Sequence, residues 1–459
     1  MQPYELTASE ASALIADRKL SVEELARSTL AYIATREPVI RAWSHVDPDL
    51  VLRNARELDK TAPRSPLHGL TFGVKDVIDT FDMPTQHNSP LYVNHRPGQD
   101  AACVAVVRHS GALVVGKTDT VEFASGGRRA ASRNSHNLAH TPGGSSSGSG
   151  AAVGDRQVQL AFGTQTGGSH IRPAAFNGIY GIKPTHGIVS REGAKMYSHT
   201  LDTIGWYGRS VADLQLVGSA FRLPGLVQAQ NQGQTAAQNQ AQAQAPSLRG
   251  LRVALCRGPN WEAADAWGRA ALMEAGKRLE AAGAKVVEFD LSAPFEGLDA
   301  AQQTVMRGEG RAAFLPDYLG RHHLLHQDFR DLVENQREIT PTQLADAYDL
   351  AARCRAEFDA LFAATSGGRG GQFDVLMTPP SPGEAPEGLQ DTGDPAFNAM
   401  WTLLHVPCVG IPVGKSQRAL PLGIQLVGPR FADAQLLAIA AACAPAIHAG
   451  GRLDPISLG

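Results

Sequence analysis

Two turns rich in glycine and serine, separated by one short apolar run, constrain the fold of this chain more than any other feature. The first turn covers residues 141–150 and reads TPGGSSSGSG, and the second covers residues 163–175 and reads GTQTGGSHIRPAA. Between them, residues 158–162 are mostly apolar and long enough for one buried strand. Glycine lets backbone N–H groups approach a ligand closely, and serine adds hydroxyls at the same place. Free N–H donors beside a hydroxyl are what acyl transfer needs, namely an oxyanion hole and a nucleophile.

A flexible linker is the alternative interpretation, because GGSSSGSG in isolation is typical of one. Apolar sequence typical of folded structure lies on both sides of the stretch. The second turn also contains Ser-x-x-Arg-Pro at residues 169–173, which no linker requires. The stretch is therefore predicted to be part of a folded site.

These residues resemble the amidase signature family of serine hydrolases. That family shows a GGSS turn, a serine 24 residues later in a TGGSxxRPA-like turn, and an upstream lysine in a GVKD strand end. Residues 143–146 and 73–76 match these motifs, and Ser145 and Ser169 have the family's spacing. The three parts together are highly specific, whereas any one of them alone is not. Further matches at residues 178–185 and 201–205 extend the resemblance, which we expect to be dense over 65–215 and thin after 250.

The resemblance implies a Ser–Ser–Lys relay. Ser169 is the candidate nucleophile, Lys75 is the base, and Ser145, on a cis peptide bond after Gly144, passes the proton between them. Lys75 must lose its proton near neutral pH, and burial among hydroxyls rather than carboxylates shifts its pKa in that direction. No recognisable Asp-His pair accompanies Ser169, and the relay needs no metal or cofactor.

Further residues of the two turns have expected roles around this relay. Ser146 is expected either to hydrogen-bond within the relay or to stabilise its turn, and Arg172 to hold the nucleophile turn in place. The candidate oxyanion hole consists of the backbone N–H groups of Thr166, Gly167, Gly168 and Ser169.

Two residues depart from the family pattern. Gln165 stands where the family often has aspartate, although some amidases carry glutamine there. His170 stands where isoleucine or valine is usual. Because adjacent side chains rarely face each other, we interpret His170 as packing or pocket lining rather than as a base for Ser169.

The order of predicted elements indicates the fold. Capping boxes that begin at Thr7 and Ser21 predict two N-terminal helices, and residues 70–74 predict a strand that ends at Lys75. After residue 250, strands and helices alternate. We predict an α/β fold with a large mixed, mainly parallel β-sheet covered by helices on both faces. The chain is expected to form one domain over 1–459, with N-terminal helices in 1–65, the catalytic core in 66–225, a low-complexity loop in 228–246 and the second half of the same sheet in 247–459.

Composition bears on partners and location. A net charge of −3 gives no reason to expect nucleic acid or an anionic membrane as a partner. The five cysteines are scattered without a C-x-x-C motif, which indicates a reducing, cytoplasmic compartment. Neither a signal peptide nor a membrane span is visible. We therefore expect no nucleic acid and no membrane as partners. The resemblance implies a small-molecule amide substrate and, as one option, a homodimer.

The expected activity is hydrolysis of a carboxamide C–N bond, extending to carbamates or urea-like groups as an option, with release of ammonia or an amine. The alternative is the A subunit of the tRNA-dependent amidotransferase, which shares the relay and releases ammonia from glutamine for a partner. That protein usually has aspartate at position 165 and MDEFA at 120–124, so the stand-alone enzyme is favoured. Substrate walls are expected around residues 196–197 and 397–401.

Two other classes of protein are weighed against these. Residues 144–148 match the G-x-S-x-G nucleophile elbow of α/β-hydrolases, but residues 137–142 before them do not form a strand pattern. A non-catalytic binding protein would be expected to lack one member of the relay, and all three are present.

Overall fold

The computed structural model describes residues 1–226, 247–291, 293–363, 371–448 and 453–458. The low-complexity segment 228–246, predicted to be a loop, lies outside the described residues. Helices in the described residues are α1 Ala8–Ala16, α2 Val22–Ile40, α3 Pro48–Asp59, α4 Ala102–His109, α5 Ser147–Gly154, α6 Ile171–Phe176, α7 Val211–Ala220, α8 Ala266–Ala281, α9 Leu298–Arg321, α10 Gln327–Val333, α11 Pro341–Ala360, α12 Ala399–Leu403 and α13 Asp433–Ile447.

The strands of the described residues belong to one sheet. They are β1 Trp43–Val46, β2 Thr71–Lys75, β3 Leu113–Thr118, β4 Leu160–Gln165, β5 Tyr180–Lys183, β6 Thr203–Gly208, β7 Arg252–Arg257, β8 Lys285–Asp290, β9 Val375–Thr378, β10 Cys408–Lys415 and β11 Pro421–Val427. Their order across the sheet is β1-β3-β2-β4-β6-β5-β10-β11-β9-β7-β8. Strands from both halves of the chain thus meet where β5 pairs with β10.

The predicted large mixed sheet is confirmed, but its pairing is less parallel than predicted. Parallel pairing is confined to β2 with β3 and β4 and to β7 with β8 and β9. The six other neighbouring pairs in the described sheet are antiparallel. Short connections explain part of this difference. Only residues 416–420 join β10 to β11, and parallel neighbours need a crossover of about a dozen residues or more.

Side chains that alternate along the strands bury both faces of the sheet. On β7, Val253 and Leu255 belong to one hydrophobic cluster, whereas Ala254 and Cys256 belong to another. Helices α8 and α13 contribute to the first cluster, and α9, α11 and α12 contribute to the second. Because successive strand residues point to opposite faces, these helices cover opposite sides of the sheet. The predicted helical cover on both faces is confirmed.

The two predicted N-terminal helices are present as α1 and α2. Thr7 and Ser21 both make complete capping boxes, in which the hydroxyl accepts from the N–H three residues on and the glutamate there accepts from the cap N–H. Within the described residues, no helix combines the length and apolar character that crossing a bilayer requires.

Candidate active site

The carboxyl ends of β2 and β4 lie side by side because the two strands are parallel neighbours. Lys75 is the last residue of β2, and Gln165 is the last residue of β4. The first glycine-serine turn leads into α5, which is followed by β4, and the second turn leads from β4 into α6. The fold therefore brings both turns to the strand end that carries Lys75.

The Lys75 side chain is fully buried, and its nitrogen lies in a shell of hydroxyl groups. Its Nζ lies 2.8 Å from Ser145 Oγ and 3.0 Å from Ser146 Oγ. It also lies 2.7 Å from Thr164 Oγ1. No carboxylate hydrogen-bonds to this nitrogen within the described part of the chain. Burial holds the pKa of Lys75 well below the ordinary lysine value of 10.5, and the Asp202 carboxylate acts in the opposite direction.

The first turn presents Ser145 to Lys75. The peptide bond between Gly144 and Ser145 is cis, as the resemblance implies. Arg172 donates from Nη2 to the Gly144 carbonyl at 2.8 Å and from Nε to the Thr392 carbonyl at 2.8 Å. The buried Arg172 side chain thus ties the first turn to residue 392, in keeping with the structural role expected for it.

The second turn has paired carbonyl groups and unpaired N–H groups. The carbonyls of Thr166, Gly167, Gly168 and Ser169 each accept a hydrogen bond, from Gln302 Nε2, Thr402 Oγ1, Arg172 N and Ser146 N, respectively. The N–H groups of the same four residues donate to no protein atom in the described ranges. Backbone N–H groups in folded proteins are almost always paired, so a row of free donors on a glycine turn is the arrangement of an anion-binding site.

Ser169 lies at the end of this turn with its side chain partly accessible. Its carbonyl is 3.3 Å from the N–H of Ser146, which joins the second turn to the first. Its hydroxyl makes no hydrogen bond to any described residue, so it is available to a substrate. Lys75 thus contacts Ser145 and Ser146, and Ser169 contacts Ser146 through its backbone carbonyl, whereas no hydrogen bond joins the hydroxyls of Ser145 and Ser169 within the described residues. The catalytic roles of these residues remain a prediction.

The side chain of Gln165 organises the end of β4. Its Oε1 accepts from the N–H groups of His170 at 3.1 Å and Ile171 at 3.0 Å, and its Nε2 donates to Thr402 Oγ1 at 3.0 Å. An aspartate at this position could accept from the two N–H groups but could not donate to Thr402. The glutamine therefore uses a donor that the residue usual in the family lacks.

His170 packs inside the protein and does not act on Ser169. Its ring stacks on Tyr207 with centroids 3.9 Å apart, and it fills the space above two glycines of β4 and β6, Gly163 and Gly205. Nε2 of His170 is 3.1 Å from the Trp206 carbonyl, and burial lowers the pKa of His170 to about 3. Of the two roles expected for this residue, the structure supports packing.

Four residues of the site were not singled out in the sequence. Thr164 lies inside the second turn, and its hydroxyl next to Gln165 was an available but unused signal. Asp202, which accepts from Thr166 Oγ1 at 2.6 Å, lies in the quoted LDTIG match. Gln302 and Thr402 are more than 130 positions from the turn in the sequence, and no local pattern connects them to it.

Both segments that were predicted to line the substrate pocket lie near the second turn, but only residues 196–197 line a cavity. Met196 and Tyr197 line a small cavity of about 20 Å³ together with Thr164, Thr166 and Asp202. By contrast, the side chains of residues 397–401 are buried, and Trp401 belongs to the hydrophobic cluster under α9 and α11. Residues 397–401 therefore pack inside the protein and do not line an open substrate pocket.

The α/β-hydrolase alternative lacks its structural context. Residues 137–142, which precede the G-x-S-x-G match, form a turn with a single bridge at His140 and no strand. A nucleophile elbow needs a strand immediately before its serine. Residues 144–148 therefore do not form such an elbow.

Comparison with known proteins gives consistent matches over the whole chain. A model of the family described as Amidase matches residues 24–437. The A subunit of the Glutamyl-tRNA(Gln) amidotransferase of Symbiobacterium thermophilum is 33% identical, over 95% of this chain and 95% of its own length. Native peptide amidase from Stenotrophomonas maltophilia has a similar structure, with a TM-score of 0.81, 28% identity and 99% coverage of both chains. The A subunit of the Glutamyl-tRNA(Gln) amidotransferase from Thermotoga maritima gives a TM-score of 0.78 at 25% identity, over 100% of this chain and 99% of that chain.

The prediction of a small-molecule partner without nucleic acid is wrong in the light of these relatives. A relative matched over 95% of its length is named as part of an amidotransferase that acts on glutamyl-tRNA(Gln). The exclusion of nucleic acid rested on a net charge of −3, which averages over the entire surface. Net charge describes the long-range field of a protein and does not define what one face or one assembly binds.

We expect Lys75→Met to lower kcat by about 10²–10⁴-fold, the usual contribution of a general base, while the melting temperature is retained. Steady-state kinetics and thermal unfolding of the purified variant test this. Lys117→Met is the matched control, because Lys117 is equally buried but lies 3.3 Å from the Asp76 carboxylate. Substitution of Lys117 leaves the Asp76 carboxylate without its ion-pair partner, which should lower the free energy of unfolding by about 3–5 kcal/mol. Turnover per folded molecule should stay unchanged. Near-normal turnover of Lys75→Met would remove Lys75 from the chemistry.

The activity should rise with pH along a limb whose midpoint lies well below 10.5. The neutral amine is the base, so activity is lost as pH falls through the depressed pKa of Lys75 and is complete above it. Asp202→Asn removes the charge that raises this pKa and should move the limb to lower pH. Profiles of kcat/KM against pH for both proteins provide the measurement. A limb that does not move in Asp202→Asn would contradict the assignment to Lys75.

Proposed function

The chain belongs to the amidase family, as the resemblance predicts, and from this premise we propose that it hydrolyses a carboxamide through an acyl-enzyme on Ser169, releasing ammonia or an amine. Members of this family are enzymes that act on amide C–N bonds. The observation that carries the proposal is the environment of Lys75, a buried amine whose three hydrogen-bond partners are all hydroxyl groups. A buried lysine paired with a carboxylate would stay charged, whereas this one is suited to exist as a base.

The directions of the hydrogen bonds around Lys75 Nζ indicate which hydroxyl group the lone pair of a neutral amine can face. A neutral lysine nitrogen has two N–H donors and one lone pair, yet Nζ has three hydroxyl neighbours, so one hydroxyl must donate to it. Ser146 Oγ lies 3.2 Å from the Thr164 carbonyl, which has no hydrogen to donate, so Ser146 gives its own hydrogen there. Ser146 can then only accept from Lys75. The lone pair is left for Ser145 or Thr164, and proton transfer uses the arrangement in which it faces Ser145.

The acylation step follows from this arrangement. Ser169 Oγ attacks the amide carbon, its proton passes to Ser145 Oγ, and the proton of Ser145 passes to Lys75 Nζ. The resulting ammonium has three N–H donors, and the three surrounding hydroxyls can all accept. The free N–H groups of residues 166–169 stabilise the oxyanion of the tetrahedral intermediate. When that intermediate collapses, the proton returns through Ser145 to the leaving nitrogen, which departs as ammonia or an amine.

Deacylation repeats the same transfers with water. Water attacks the acyl carbon while Lys75, again neutral, takes the water proton by way of Ser145. Collapse of the second tetrahedral intermediate returns the proton to Ser169 Oγ and releases the carboxylic acid. Every step uses groups of this chain.

A second, narrower function is favoured by the names of the relatives. The amidotransferase A subunit of Symbiobacterium thermophilum matches almost the full chain, and its counterpart from Thermotoga maritima shares the fold. In this function, the amide is that of glutamine and the ammonia is used by an assembly that acts on glutamyl-tRNA(Gln). The glutamine at position 165 does not oppose it, because the Gln165 side chain still accepts from the two N–H groups that begin α6.

Loss of the nucleophile should abolish the reaction and its covalent intermediate together. We expect intact-mass measurement of wild type incubated with an amide it hydrolyses to show the mass of the acyl group, and Ser169→Ala to show none and to release no ammonia. Ser145→Ala keeps the nucleophile and should form the adduct more slowly, by about 10²–10⁴-fold if the relay is lost. Turnover retained by Ser169→Ala would overturn the proposed mechanism.

The narrower function is tested by assembly and by the effect of tRNA. The tagged chain, purified from the cells that produce it, should bring partner proteins with it, and glutamine hydrolysis by that complex should rise when glutamyl-tRNA(Gln) is added. Ser169→Ala should form the same complex without ammonia release. An isolated chain that is fully active on unrelated amides and indifferent to the tRNA would contradict this function and leave the acyl-enzyme mechanism standing.

A further inference from the structure

Two side chains from the second half of the chain each hold one carbonyl of the nucleophile turn. Gln302 on α9 donates from Nε2 to the Thr166 carbonyl at 2.8 Å. Thr402 on α12 donates from Oγ1 to the Gly167 carbonyl at 2.7 Å. Both side chains are buried. We propose that Gln302 and Thr402 are positioning residues that set the oxyanion hole by fixing two peptide planes of this turn. The inference rests on the proposed acyl transfer at Ser169.

The physical basis is the planarity of the peptide unit. In a trans peptide, the carbonyl and the N–H of the next residue lie in one plane and point in opposite directions. A hydrogen bond to the Thr166 carbonyl therefore fixes the direction of the Gly167 N–H. In the same way, the bond to the Gly167 carbonyl fixes the Gly168 N–H. These are two of the four free N–H groups in the turn.

The turn needs such anchors because its own residues do not hold it. Glycine allows a peptide plane to rotate through conformations that other residues avoid, and Gly167 is followed by Gly168. A Cβ built on Gly167 would have only Pro395 Cβ at 3.7 Å and Gln302 Nε2 at 3.8 Å as neighbours. Packing thus leaves Gly167 free, and hydrogen bonds to its flanking carbonyls are what remain to fix the planes.

Neighbouring groups determine which way each anchor points. Gln303 Nε2 donates to Gln302 Oε1 at 3.1 Å, so the amide nitrogen of Gln302 is left to face Thr166. The two N–H groups of α6 fix the Gln165 oxygen, so its nitrogen donates to Thr402 Oγ1. The Thr402 hydroxyl, having accepted that hydrogen bond, has one hydrogen to give and two carbonyls within reach, Gly167 at 2.7 Å and Asn398 at 3.2 Å. The shorter contact assigns that hydrogen to the Gly167 carbonyl. Gln165 therefore acts through Thr402 on the turn.

Anchoring of this kind acts on the transition state. An oxyanion-hole donor that already points at the developing charge stabilises the transition state, and its complete removal lowers kcat by about 10²–10³-fold. Loss of an anchor leaves the donor present but free to turn away, so each single loss should have a smaller effect than removal of the donor. The ground-state amide, whose carbonyl carries little charge, should be affected much less.

The test uses two substitutions of Thr402, one without and one with a hydroxyl group, and one apolar substitution of Gln302. Thr402→Val removes the hydroxyl, Thr402→Ser keeps it, and Gln302→Leu removes the amide. Thr304→Val is the control on α9, the helix that carries Gln302, because among the described residues Thr304 Oγ1 bonds only to the Ala300 carbonyl one turn earlier. For each variant we would measure kcat, KM, the melting temperature and the affinity for a trifluoromethyl ketone, which forms a tetrahedral oxyanion adduct with a reactive serine.

We expect Thr402→Val and Gln302→Leu each to lower kcat by about tenfold, less than the 10²–10³ for a donor that is lost completely, with KM nearly unchanged. Affinity for the ketone should fall by the same factor as kcat/KM. Thr402→Ser should restore both quantities, and Thr304→Val should match wild type. If Gln302→Leu does not fold, the comparison of Thr402→Val with Thr402→Ser carries the test.

Two results separate failure of this inference from failure of the proposed function. If Ser169→Ala is inactive while Thr402→Val and Gln302→Leu keep wild-type kcat and ketone affinity, the anchoring role is overturned and acyl transfer stands. If Ser169→Ala retains turnover, the proposed function fails first. A loss of melting temperature with ketone affinity unchanged would assign Gln302 and Thr402 to stability alone and would also overturn the inference.

Discussion

A buried amine without a carboxylate partner is the feature on which the site depends. Lys75 and Lys117 lie at or next to the ends of the neighbouring parallel strands β2 and β3 and are both buried, yet their surroundings differ. Lys117 has Asp76 at 3.3 Å, whereas the shell of Lys75 is made of hydroxyls. Removal from water disfavours the ammonium in both cases, but only Lys117 has a close counter-charge to offset it. The same burial therefore makes one lysine a structural ion pair and the other a candidate base.

The rest of the site can be understood as arranging donors and acceptors around that amine and the serine it activates. One turn offers hydroxyls to Lys75, and the other offers free N–H groups beside Ser169. The N–H groups of Gly167 and Gly168 are held in direction because the carbonyls of their peptide planes accept hydrogen bonds from side chains of α9 and α12. The first half of the chain thus supplies the reacting groups, and the second half holds them. The site needs both halves of the sheet, although its motif lies in one.

The departures from the family pattern are accommodated by local partners. Gln165 replaces a carboxylate with an amide whose extra donor is matched by Thr402. His170 replaces an aliphatic residue with a ring that fits over Gly163 and Gly205 and stacks on Tyr207. Neither change introduces a charge beside the nucleophile, since burial keeps the imidazole neutral. The electrostatics that the relay requires are therefore preserved.

The sequence by itself determined the local features of this protein. Glycine and serine spacing located both turns with Ser145 and Ser169, the GVKD match to the family located Lys75, and capping boxes located α1 and α2. All of these signals lie in residues that are close together in the sequence. Helical cover and a mixed sheet followed from the alternation of elements. Only the tertiary structure decided the strand order, the balance of antiparallel pairs, the Asp202 charge near Lys75 and the anchoring by Gln302 and Thr402. Those contacts join residues far apart in the chain, and a hydrogen bond between distant residues leaves no pattern at either one until folding brings them together.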